Sequence, residues 1–258
     1  MSTEIMSEKL EQRLNDYHLY HHSILLPALN EIEEKVSENT FRLHQAIGFN
    51  MIIAHALDYI LAIEHVRHDK KISRLEIMQR LDSAYRIEGG KFTNGKFRLI
   101  DAVNNSIKHI NLDPEKFKNY RELIDEYGDM NFRLLSEESG IVYMKTKNYQ
   151  FDYGRIILRN ISKIFKFQYD DPDCILSTID GDDVYICSDE LSLDPSDPST
   201  AIDRTIFYCN PICLDCGEGE DECTCEKFIF KNEVGEFNPD IDHSFNVEYT
   251  LAEISNSW

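Results

Sequence analysis

Apolar residues in the first 128 positions recur at spacings of three and four, the period of a helix with one buried side. The pattern predicts a long helix over 4–36, striped by Leu10, Leu14, Tyr17 and His21 and kinked or split at Pro27. A second helix, capped by Asn39 or Thr40, runs to about Arg67; it is apolar on most sides and so is the central one. Ser73 and Glu76 have capping-box spacing ahead of a third helix with Leu75, Met78, Leu81 and Tyr85 on its stripe. After the glycine-rich turn GGKFTNGK comes FRLIDAVNNSIKHI, a fourth helix. Its apolar side is Phe97, Ile100, Val103, Ile107 and Ile110; its polar side is Asp101, Asn105 and His109. Asp113 and Pro114 open a fifth helix, with Phe117, Tyr120, Ile124 and Tyr127 on its stripe and Gly128 at its stop.

The period then shortens. Runs over 131–136 and 141–145 flank Glu137-Glu138-Ser139-Gly140 and predict a hairpin. Tyr149, Phe151 and Tyr153 alternate with polar residues, as in a half-buried strand. Residues 155–169 fit either period; strand is preferred. Residues 175–179 and 184–187 flank Asp180-Gly181-Asp182-Asp183, a second hairpin signal whose acids read as a solvated turn. The Ser-, Asp- and Pro-rich segment 188–203 has almost nothing to bury.

Composition supports a packed core, with 42% hydrophobic residues among 258. The net charge of -20 disfavours a broad phosphate-binding surface. It is unevenly placed: residues 1–130 carry 17 Lys+Arg against 21 Asp+Glu, and residues 131–258 carry 10 against 26. The two halves are therefore different objects. The start, MSTEIMSEKLEQR, has neither the character of a secretory signal nor that of a transit peptide, so a cytoplasmic protein is expected. The apolar run 47–63 is broken by Asn50, His55 and Asp58; it reads as a buried core helix and no membrane association is expected.

Asn104-Asn105-Ser106-Ile107-Lys108-His109 resembles the signature of HEPN-type helical domains. In that family an Arg, a polar residue and a following His lie on one late helix of a bundle, and many members cleave RNA without metal. The resemblance covers residues 1–128 at most. Asn105 fits the polar position and His109 the histidine, whereas Asn104 stands where the arginine would be. Asparagine supplies no cation for a phosphate. The resemblance implies a prokaryotic or phage protein of the toxin and antiviral kind. With the arginine replaced, it implies an accessory or regulatory module that binds a protein partner and pairs with a second copy. The alternatives are an endoribonuclease using His109 and Asn105 on RNA, with Lys91, Lys96 or Arg98 supplying the cation, or an acidic decoy of a nucleic-acid-binding protein. His55 and Asp58, one turn apart on the central helix, join the candidate site if their face meets His109; a satisfied polar pair is the plainer reading. His18, His21 and His22 read as a solvated or interface cluster.

The last candidate is a cysteine module. Cys213 and Cys216 have zinc-knuckle spacing with Gly217 helping the turn, Cys223 and Cys225 form a tighter pair, and Cys209 is a fifth candidate. Four such thiolates make a closed, structural Zn2+ site; the plainer reading is a reduced, metal-free acidic loop. Asp215, Glu218, Glu220, Asp221 and Glu222 read as an exposed acidic loop tip. The expected architecture is α+β: a helical bundle over 1–128, a β-rich region over 129–188, an acidic linker over 189–203 and a zinc-stapled module over 204–258.

Overall fold

The computed structural model describes residues 3–68, 72–86, 92–110, 112, 115, 118–167, 213 and 215–218. The second predicted hairpin, the acidic linker, Asp113, Pro114, Phe117, Glu220, Asp221 and Glu222 lie outside them. The described chain is mostly helical with a small antiparallel sheet, an α+β arrangement.

The first helical stretch is split as Pro27 predicts. Helix α1 (Thr3–Tyr20) passes through a wider π turn (His21–Leu25) into α2 (Leu26–Ser37), where Pro27 stands in the first turn and needs no N–H partner. The π turn corrects one expectation. His21 is buried, with Nε2 donating to the Phe165 carbonyl at 3.1 Å. Only His18 and His22 remain as a stacked pair toward solvent; His21 and Leu25 continue the buried side of Tyr17 at spacings of four.

Helix α3 (Leu43–Arg67) is central, packing against α1 and the later helices. At 25 residues it is long and apolar enough by composition to cross a bilayer, which the broken run 47–63 did not suggest, and half of its most apolar window is buried against the rest of the protein. Its start also departs from expectation. Asn39 takes a left-handed φ of 52° instead of capping, and the N-cap is Arg42, whose N–H donates to Gln45. The free N–H of Leu43 goes to Glu137 Oε2 at 2.9 Å, a cap supplied from 94 residues away.

Helix α4 (Arg74–Ala84) starts as predicted, with Ser73 Oγ accepting the Glu76 N–H at 3.1 Å. Helix α5 (Lys96–His109) follows a 3-10 turn over Thr93–Gly95. Another 3-10 turn over Lys118–Tyr120 leads into α6 (Arg121–Tyr127), which stops at Gly128 with φ 86°.

The sheet runs β1 (Leu135–Glu138), β2 (Ile141–Lys145) and β3 (Gln150–Asp152), antiparallel and in that order. Ser139 and Gly140, both at positive φ, form the two-residue turn of the predicted hairpin. The tip packs directly on the α2–α3 connection, with Phe41 N–H donating to Gly140 O at 2.9 Å. Val142, Met144 and Phe151 belong to the same buried cluster as Leu57, Ile100 and Val103, so sheet and helices share one core.

Residues 155–169 were expected as a strand. The chain instead forms a π turn (Gly154–Arg159) and then α7 (Asn160–Phe167). Ile156, Ile157, Leu158, Ile161 and Phe165 are all fully buried there. Arg155, Arg159, Lys163 and Lys166 stand at spacings of four and three on one side, so a helical period was present and the Ile- and Phe-rich positions between them suggested a strand instead. Remote contacts hold it, among them Ser162 Oγ donating to Leu29 O at 3.1 Å and Tyr153 Oη donating to Asn50 Oδ1. Asn50 in turn donates to Ile100 O at 3.0 Å, tying α3 to α5.

Candidate functional site

The polar side of α5 leads to a network crossing four elements. The Asp101 carboxylate, almost fully buried, accepts from Arg74 Nε at 2.6 Å and from Tyr120 Oη. Arg74 also donates to Asp58 on α3 and, through Nη2, to Ala54 O at 2.8 Å. Asn105 Nδ2 donates to Tyr120 Oη at 2.7 Å and to Asp101 O at 2.9 Å. One cation on α4 thus joins two carboxylates, and one phenol joins the Asp101 carboxylate to Asn105. Burial first, and the neighbouring Asp101 charge second, push the Tyr120 phenol far above the usual tyrosine range. It therefore stays a neutral donor at any physiological pH.

Of the four residues expected to carry chemistry, Asn105 and Asp58 enter this network. His109 sits exposed in the last turn of α5, and His55 is exposed on α3 one turn before Asp58. The backbone just beyond His109 is unusual: Ile110 has φ 68° and ψ −36°, unfavourable for a β-branched side chain. Two backbone bonds hold it there, from Phe132 N–H to Ile110 O at 3.0 Å and from Leu112 N–H to Met130 O at 2.9 Å.

Two of the cations expected to replace the missing arginine are occupied. Lys96 is buried and donates to Tyr85 O at 2.8 Å and Thr93 O at 3.2 Å. Burial pulls its ammonium down to about 8, against the opposing charge of Asp82. Arg98 Nε pairs with Asp82 Oδ2 at 3.0 Å, and Lys91 lies outside the described residues. The residues that sequence reasoning missed are Arg74, Asp101 as a site member, and Tyr120. The available signal was Asp101 itself, since an acid on a half-buried helix implies a cation nearby. Nothing local says that the cation is the first residue of α4.

A second polar centre lies at the cysteine turn. Asp215 Oδ1 accepts the N–H groups of Phe92 and Thr93 at 2.8 and 3.1 Å. Glu218 Oε1 accepts from Arg155 Nη1 at 2.6 Å and from Arg159. Asn160 Nδ2 donates to Asp215 O at 2.8 Å. Asp215 and Glu218 were expected on an exposed loop tip; both are buried, because the helical body presents backbone donors and guanidinium groups that satisfy them. Cys213 and Cys216 are buried beside them, while Cys209, Cys223 and Cys225 lie outside the described residues. Among the described residues no three His, Cys, Asp or Glu side chains are grouped to hold a metal ion. Comparisons with protein-family models, curated proteins and solved structures give no match to this chain.

Proposed function

We propose that this protein works by binding a protein partner, as an accessory or regulatory component of a prokaryotic or phage toxin or antiviral system built on a degenerate HEPN-like bundle. The observation that supports binding over catalysis is the engagement of three cations on α4 and α5. Arg74 faces two carboxylates, Lys96 serves backbone carbonyls, and Arg98 serves Asp82. A guanidinium already shared between two carboxylates offers little to a phosphate. Asn105 itself spends its amide on Tyr120 and the helix backbone.

The reading includes pairing with a second copy. Leu19, Ile24 and Met51 are exposed apolar residues on α1, the π turn and α3 that suit such a contact. It also includes an acidic second half that ends in a zinc-stapled module. RNA cleavage is the second reading, favoured by one observation: the His109 ring is accessible at the end of α5.

Incubating purified protein with RNA in EDTA separates the two. Intact RNA is the expected result. Cleavage that disappears in His109→Ala replaces the binding reading with the enzymatic one. Association with a basic partner that falls steeply with salt would instead favour the acidic decoy.

A further inference from the structure

We propose that the solvent-facing stripe of α3 docks a second copy of this chain, antiparallel, about a two-fold axis near Met51. The inference rests on the reading that the chain pairs with itself; it names the face and the register. The stripe is His44, Gly48, Met51, His55, Asp58 and Ala62, at alternating steps of four and three along one side of the helix. His44, Met51, His55 and Asp58 are exposed, and Gly48 and Ala62 are half-buried.

The first argument is composition. A helix with one side in water ordinarily carries charged groups there. Residues 43–63 contain no Lys or Arg and a single acid, Asp58, in a chain of net charge -20. Asp58 already faces Arg74. Two such acidic molecules repel at long range, so a contact between them needs a side poor in acid. The neighbouring elements extend it. Tyr20 Oη donates to Ile52 O at 2.7 Å, joining α1 to α3 next to Met51, and the π turn also packs on α3. Leu19, Ile24 and Met51, three of the five large apolar side chains exposed among the described residues, lie on these packed elements.

The second argument is self-complementarity. In a two-fold contact, what lies a given distance before the axis on one copy meets what lies the same distance after it on the other. His44 is seven residues before Met51 and Asp58 seven after it, about two turns either way. An imidazole of each copy therefore meets a carboxylate of the other. Nearer the axis, Gly48 stands three residues before Met51 and His55 four after it. In-register parallel pairing would instead set Asp58 against Asp58 and His55 against His55.

Gly48 supplies the third argument. A glycine inside a long helix costs stability relative to alanine, and such a residue ordinarily has a packing reason. Among the described residues of the chain there is none, because a Cβ on Gly48 would have nothing within 4 Å. The close approach of a second helix provides one: the open space over Gly48 takes the His55 ring of the second copy.

Sedimentation equilibrium on the full chain over about 1–100 µM reads the association. The wild type is expected to reach two chains per particle. Gly48→Lys puts a long side chain into the gap; it should keep the helical spectrum and cooperative melting, while the dissociation constant rises at least about tenfold. His44→Asp is favourable within one chain, since an acid suits the first turn of a helix. It sets that acid against Asp58 of the second copy and should raise the constant at least about threefold, and it decides the matter should Gly48→Lys fail to fold. An unchanged constant in Gly48→Lys overturns the α3 contact and leaves pairing through another surface standing. Weakening in Gly48→Lys with none in His44→Asp overturns the antiparallel register. A wild type that stays a single chain at about 100 µM overturns pairing itself.

Discussion

Arg74 Nε lies 2.6 Å from Asp101 Oδ1, joining the first residue of α4 to the middle of α5 across 27 positions of sequence. The carboxylate is 3% exposed and the guanidinium 22%, so the pair is screened far less than a surface ion pair. It is the centre from which Asp58, Tyr120 and Asn105 are reached.

Removing the cation should therefore cost more than removing both charges. Arg74→Met leaves Asp101 buried with its Tyr120 bond but without a counter-charge, and is expected to lower unfolding free energy by about 2–4 kcal/mol. Adding Asp101→Asn should recover part of that loss. Urea denaturation of the two single variants and the double variant reads the coupling, and strict additivity would show that the pair does not act as a unit.

The hairpin tip offers a backbone test. A Cβ on Gly140 would sit 1.8 Å from Asn39 O, and its φ is +77°. Gly140→Ala is expected to destabilise by about 3 kcal/mol or more, since both the contact and the conformation forbid it. Ser139→Gly, at φ 52° beside it, should be neutral or stabilising by about 0.5 kcal/mol. Equal effects at the two sites would contradict the backbone-on-backbone packing.

Ile110, 65% exposed, carries strain without burial to offset it. Ile110→Gly is expected to stabilise the fold by about 0.5–1 kcal/mol by relieving the left-handed backbone. A lower melting temperature would show that the side chain contributes packing that outweighs the strain.

Lys96 gives stability a pH dependence with a definite sign. Its folded pKa is pulled to about 8 from an ordinary 10.5. Between those values the unfolded chain binds more protons than the folded one, so stability rises with pH across the window; below it, the full penalty of burying the cation is present. The stability of wild type relative to Lys96→Met should therefore increase by about 2 kcal/mol from about pH 7 to about pH 9.5. Measuring below about pH 10 avoids the buried tyrosines, whose raised pKa values act in the opposite direction. A constant difference between the two proteins would mean that Lys96 is not desolvated.

The candidate site was only half readable in the sequence. Asp101, Asn105 and His109 could be placed on one side of one helix, because helical spacing is a local property. The network could not, because its central residue arrives from α4 and its phenol from the turn before α6. The cysteine turn shows the same limit. Its spacing was legible, but five neighbouring acids suggested solvent, and two of them are buried by groups on remote segments.

Local chemistry alone determined the start of α4 at Ser73, the stop of α6 at Gly128, the break before Pro27 and the turn at Ser139-Gly140. Each depends on backbone preferences within a few residues. Tertiary structure alone decided that Glu137 caps α3 from 94 residues away and that Glu218 meets Arg155 across 63. A carboxylate finds its partner in space, where sequence distance carries no information.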